Sequence, residues 1–158
     1  MSPVRDISVF TATLRTAGPE AALAFLNAAV PHRYSAVYRL HGSTLQNVYL
    51  HDKQGELRPE FLAIVPFETS FCQFVLRDGA FLTDDSGADS RLDGHPYQGV
   101  MVSYHGVPLV GATGELIGTL CHFDVQSHSL PDGEYALLQS AALVLPPFLP
   151  SIPAQPVD

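Results

Sequence analysis

Two long runs of apolar and β-branched residues, Val100–Leu109 and Leu116–Val125, flank the short stretch Gly111-Ala112-Thr113-Gly114. Runs of this length around a glycine-bearing turn fold back on each other as an antiparallel pair. A lone hairpin is marginal in water, so the pair must sit inside a larger sheet with a covering layer. Pro108 lacks an N–H and suits a strand end, while Gly118 permits close approach of a neighbouring backbone or ligand. Both strands are apolar on each side, so alternation alone does not tell which face looks into a core.

The rest of the chain supplies the partners. Ile7–Leu14 is compatible with a helix. Gly18-Pro19-Glu20 then offers an N-cap, a first-turn proline and an early acid for a helix over Ala21–Val30. Tyr34–Leu40 and Leu45–His51 read as strands around a His41–Thr44 loop, and Phe61–Val65 reads as a third short strand. Glu68-Thr69-Ser70 provides cap chemistry for a short helix, Phe71–Leu76, followed by a strand over Ala80–Thr83. Asp84–Tyr97 is polar and turn-rich, and a loop of that length in a small domain usually carries function. Ser129-Leu130-Pro131-Asp132 looks like a capping box with Asp for Glu, opening a helix that Pro146-Pro147 stops. The order predicts one α+β domain over residues 1–147 with a central antiparallel sheet, then a Pro-rich flexible tail over 148–158.

Composition narrows the function. Only eight Lys and Arg are present, none after Arg91, and the net charge is −8. Nucleic acid and anionic membranes demand a dense cationic surface, so neither is an expected partner. No apolar stretch approaches the roughly 20 residues of a bilayer span. The N-terminus lacks the plan of an export signal. With Cys72 and Cys121 the only cysteines, a reduced, cytoplasmic protein is expected. Charged residues make up 15% against about 25% in typical domains, which suits an apolar cleft or a subunit interface.

Three segments resemble the GAF family of sensor domains. They are Ser35-Ala36-Val37-Tyr38-Arg39-Leu40; Glu68-Thr69-Ser70-Phe71-Cys72 with Ala80–Asp85; and Ser103–Leu109 followed by Glu115–Asp124, which holds Val107-Pro108-Leu109 and Ile117-Gly118-Thr119-Leu120. The resemblance runs from about residue 5 to residue 145. It implies terminal helices on one face of the sheet, where they often build a homodimer. It also implies a ligand between the other face and a lid, here Pro66–Leu76 plus Asp84–Tyr97.

Fold does not settle function, so each chemistry of the family has to be sought in the residues. Reduction of free methionine sulfoxide needs a reactive thiol, resolving thiols and carboxylates near the strand pair. The chain has Ser103-Tyr104, Cys121 and Phe123 where acids are expected, and only Cys72 falls near a family thiol. The signature of cyclic-nucleotide sites is missing. Cys121-His122 is the dipeptide of a bilin attachment site but falls on a strand. No Cys/His set has the spacing of structural zinc, so no metal ligand is assigned. His105 and His122 lie on the two strands of one hairpin and are expected to pack or hydrogen-bond across it. His32, His41, His51, His95 and His128 read as solvated residues of loops and strand ends.

The leading expectation is therefore a non-catalytic sensory domain that binds an unidentified small molecule, with no cofactor named. Its output would pass to a separate signalling protein, or the chain is a part of a longer one. Candidate ligand contacts are Tyr38, Phe71, Cys72, Phe74, Asp84, Asp85, Tyr97, Tyr104 and His105. The alternatives are a sulfoxide-reductase-like thiol enzyme using Cys72 and an interaction module with an empty cleft.

Overall fold

A computed structural model describes residues 6–57, 60–66 and 70–149. Two helices open it. The Asp6 carboxylate accepts hydrogen bonds from the N–H groups of Ser8 and Val9 at the start of α1 (Ile7–Ala17). Gly18, at φ 94°, ends α1 and precedes Pro19, the first residue of α2 (Pro19–Asn27). Only glycine takes that positive φ freely, so one residue both stops a helix and starts the next.

Six strands form one antiparallel sheet in the order β3-β2-β1-β6-β5-β4. They are β1 (Tyr34–His41), β2 (Thr44–Asp52), β3 (Ile64–Pro66), β4 (Phe81–Thr83), β5 (Ser103–Val110) and β6 (Leu116–Asp124). The expected central pair is present: β5 and β6 run in register from Ser103↔Asp124 to Leu109↔Gly118. β6 also pairs with β1, from Tyr34↔Phe123 to Arg39↔Gly118. Gly118 is squeezed there, since a Cβ would lie 2.0 Å from the Tyr38 carbonyl oxygen. Its near neighbour is thus the backbone of β1.

Period-two alternation divides the sheet between two cores. Val37, Val107, Leu109 and Leu120 face Phe10, Leu14, Leu23 and Leu26 of α1 and α2, and Leu137, Leu138 and Ala141 of α5 (Glu134–Val144). Tyr34, Ala36, Tyr38, Tyr104, Cys121 and Phe123 face the other way, toward Leu62, Phe71, Cys72, Val75 and Leu92. The terminal helices cover one face, and α4 (Cys72–Asp78) with the 84–101 loop covers the second.

Several boundaries differ from the sequence reading. Phe61–Val65 is not one strand: a single helical turn, α3 (Glu60–Ala63), leads into the three residues of β3. Val100–Val102 precede β5, because Val100 and Met101 both donate backbone N–H bonds to the Tyr97 carbonyl. Pro108 lies inside β5, beyond the Phe81↔Gly106 pair where β4 stops, so it occupies an open edge. Ser129 does not cap α5. Gly133 stands at that N-cap in a left-handed conformation, and Ser129 Oγ donates to Asp84 Oδ2 instead. Ser70 does serve α4, accepting the Gln73 N–H. Glu68, Thr69 and the tail beyond Leu149 lie outside the described residues.

Candidate functional site

Between the second sheet face and its lid lies a cavity of about 60 Å³, lined by Tyr38, Leu62, Val65, Ser70, Phe71, Cys72, Tyr97, Met101, Tyr104 and Phe123. β1, β5 and β6 supply Tyr38, Tyr104 and Phe123 at positions of one parity, so their rings emerge on one face. Register brings them together, with Tyr34 opposite Phe123 on β6 and Tyr104 opposite Phe123 from the other side. Tyr104 lies back across Gly106, where a Cβ would sit 2.7 Å from its Cε1 and Oη. Only a glycine two residues along the strand leaves that room.

Three polar groups of the wall bond to neighbouring protein atoms. Tyr38 Oη donates to the Leu62 carbonyl at 2.8 Å. Cys72 Sγ lies 3.2 Å from Tyr104 Oη and 3.2 Å from Thr119 Oγ1. Burial raises the Cys72 thiol above its ordinary range, against the pull of those two bonds. Burial also holds the Tyr104 phenol well above ordinary tyrosine. Both groups are therefore neutral near pH 7, and Cys72 is a thiol rather than a thiolate. No carboxylate, ammonium or guanidinium lines the cavity among the described residues.

Of the nine sequence candidates, Tyr38, Phe71, Cys72, Tyr97 and Tyr104 converge on this cavity and four do not. Phe74 packs outside it, 5.0 Å from Phe81 between ring centroids, with the Arg77 guanidinium over its face at 5.0 Å. Asp85 is exposed and accepts the Gly87 N–H in a short 3-10 turn. Asp84 and His105 belong to the opposite side: His105 Nε2 meets Asp84 Oδ1 at 2.8 Å, and the imidazole is buried. The reason is parity, since residue 105 must face away from residue 104 on a regular strand. Leu62, Val65, Met101 and Phe123 also line the cavity and are not among the sequence candidates, while Ser70 lies in the lid the sequence predicts. Phe123 carries a local signal, two residues from Cys121 on the strand paired with Tyr104.

His105 and His122 are register partners, as the hairpin predicts. His32 is not the solvated residue expected; it is fully buried beside both. Among the described residues no three His, Cys, Asp or Glu side chains are arranged to hold a metal ion.

Neither a family model nor a curated protein matches the chain by sequence. Solved structures do. The GAF domain of an Acinetobacter phosphoenolpyruvate-protein phosphotransferase superposes with a TM-score of 0.70 at 12% identity, over 89% of this chain and 88% of that one. The phycocyanobilin-bound GAF domain of a cyanobacterial phytochrome gives 0.65 at 17%, over 91% and 93%.

The chain has the GAF fold.

The free methionine-R-sulfoxide reductase of Neisseria meningitidis, solved with its substrate, is similar to the same extent, with a TM-score of 0.68 at 17% identity over 93% and 92%. Sensor and enzyme thus share this GAF frame, and the side chains of the cavity must separate them. No helix among the described residues is long and apolar enough to cross a membrane.

Proposed function

We propose that this chain is a sensory GAF domain that binds a small, uncharged, largely aromatic or aliphatic molecule without transforming it. The observation that carries the reading is the wall of the cavity: rings and aliphatic side chains, with the Cys72 thiol, tyrosine phenols and the Ser70 hydroxyl as its polar side-chain groups and no charged side chain among the described residues. An ionised ligand would lose its water there without gaining a counter-charge, a cost of several kcal/mol. A cavity of about 60 Å³ is well above the roughly 10–15 Å³ that one water needs, and suits a single ring or a short chain. Heteronuclear NMR with phenol, indole and benzoate tests this. The neutral compounds should shift the signals of Met101, Tyr104 and Phe123 saturably, and benzoate should not. Equal binding of benzoate would remove the reading.

Cys72 supports a second reading, a thiol enzyme acting on a sulfoxide. It lines the cavity, but burial disfavours the thiolate such chemistry requires. Turnover of methionine sulfoxide by the wild type, lost in Cys72→Ser, would favour that enzyme over the sensor.

A homodimer through the terminal helices completes the proposal. Leu143 on α5 is 81% exposed and Val9 on α1 is 40% exposed, on the layer that carries no lid. Both cysteines are free, which suits a reducing cytoplasm.

A further inference from the structure

The sheet face opposite the cavity holds a second polar cluster that the sensory reading does not use. His32, in the connection from α2 to β1, is fully buried. Its Nε2 lies 2.8 Å from Nδ1 of His105 on β5. His105 Nε2 in turn lies 2.8 Å from Asp84 Oδ1, on a side chain that is 58% exposed. Hydrogen bonds from His105 and Ser129, against the cost of burial, hold Asp84 below the usual carboxylate range, so it accepts only. Neutral His105 then carries its proton on Nε2 and offers a bare Nδ1, which His32 Nε2–H fills. That leaves His32 Nδ1 a bare lone pair, buried and with no partner.

Three more elements close on the same imidazole. His122 of β6 and His128 beyond it lie 5.6 and 5.5 Å from the His32 ring centroid. His122 Nδ1 is 2.5 Å from Ser35 Oγ on β1. His128 Nε2 is 2.9 Å from Asp124 Oδ2, which also accepts the Arg33 backbone N–H. Lys53, following β2, adds a positive charge and donates to the Asn27 side chain of α2. Asp84 thus accepts from neutral His105, and Asp124 meets His128 on the other side of His32. Protonated His32 would meet the like charge of Lys53 in a buried place.

The same residues tie the covering segments together. Asp84 begins the loop that ends at Tyr97 and Met101 in the cavity wall. Its backbone carbonyl accepts from Ser127 Oγ and the His128 N–H, and its carboxylate from Ser129 Oγ, all in the segment leading to α5.

We propose that His32, His105 and Asp84, with His122 and His128 around them, form a proton-sensitive clasp. Neutral imidazoles hold the 84–101 loop and the 125–133 segment against the end of α2, and proton uptake releases both. The device does not depend on what the cavity binds.

Hydrogen exchange read by mass spectrometry tests it, as protection factors so that the intrinsic pH dependence cancels. Peptides covering 84–102 and 125–133 should lose protection at least tenfold between pH 7.5 and 5.0 and become less protected than β1 and β6. His105→Gln and His32→Gln, which remove the titrating groups, should abolish that loss. Unchanged protection, or the same loss in both variants, would overturn the clasp. Should neither variant fold, histidine ¹⁵N spectra of the wild type decide the matter. His32 and His105 should be neutral Nε2–H tautomers at pH 7.5 and should titrate in step with the two segments' amides. Titration of either ring with those amides unmoved would equally overturn it.

Discussion

Tyr104 and His105, adjacent on β5, present their side chains to opposite faces of the sheet: Tyr104 Oη lies 3.2 Å from Cys72 Sγ at the cavity, and His105 Nε2 lies 2.8 Å from Asp84 Oδ1 on the helix side. One strand therefore anchors both the cavity wall and the histidine cluster.

The buried thiols should be unreactive. Burial raises Cys72 and pushes Cys121 well above ordinary cysteine, and the thiolate is the alkylating nucleophile. Intact-mass kinetics with iodoacetamide at pH 8 should show both labelling about a hundredfold more slowly than a free thiol. Phenol or indole should slow Cys72 further and leave Cys121 unchanged. Fast labelling of Cys72 in the native protein would contradict the burial of its thiol.

Acid should destabilise the fold early. Burial first, then the neighbouring His105 and His128 imidazoles, lower His32 from 6.5 to about 3. The unfolded chain binds its proton near pH 6.5 and the folded chain does not. Stability is therefore complete above that pH, falls as pH drops through it, and keeps falling until about pH 3. Each such histidine contributes a slope of about 1.4 kcal/mol per pH unit. Urea unfolding at pH 7 and pH 5 should differ by about 2 kcal/mol from His32 alone, with a flatter profile in His32→Gln.

What the sequence disclosed follows from the range of the interactions involved. The β5–β6 pair was legible because Gly114, at φ 87°, and the flanking apolar runs are local. Tyr104 and His105 were both assigned to the ligand, although parity on a strand forbids it; the information was present and unused. The true partner of His105 was not readable at all. His32 sits 73 residues away, and nothing local marks a histidine after Pro31 as buried. Ser129 misled for a related reason, since its hydroxyl is taken by Asp84, 45 residues earlier, before it can cap a helix.

The proposed dimer should be separable from the fold. Leu143 is 81% exposed, so Leu143→Glu should change monomer stability by no more than about 0.5 kcal/mol. A carboxylate buried in an apolar interface would oppose association. Light scattering behind a sizing column should show the wild type at twice the chain mass and the variant at one. A wild type that elutes at one chain mass at any concentration would dispose of the dimer.

Gly118 is where the sheet has least freedom. An added Cβ would lie 2.0 Å from the Tyr38 carbonyl oxygen and 3.0 Å from Arg39 Cα, both backbone atoms that cannot turn aside. Relief requires β1 and β6 to part at the register pair Arg39↔Gly118. That displaces Tyr38, whose Oη holds Leu62 at the cavity. Gly118→Ala should therefore cost about 3 kcal/mol and weaken binding of neutral aromatics. Gly111→Ala is the control, because the nearest atoms to its Cβ belong to the Glu115 carboxylate, on an exposed side chain that can turn away at the cost of its surface bonds to Thr113. It should stay within about 0.5 kcal/mol of wild type. Urea midpoints for the two variants give the comparison, and equal midpoints would mean that the β1–β6 contact is looser than described.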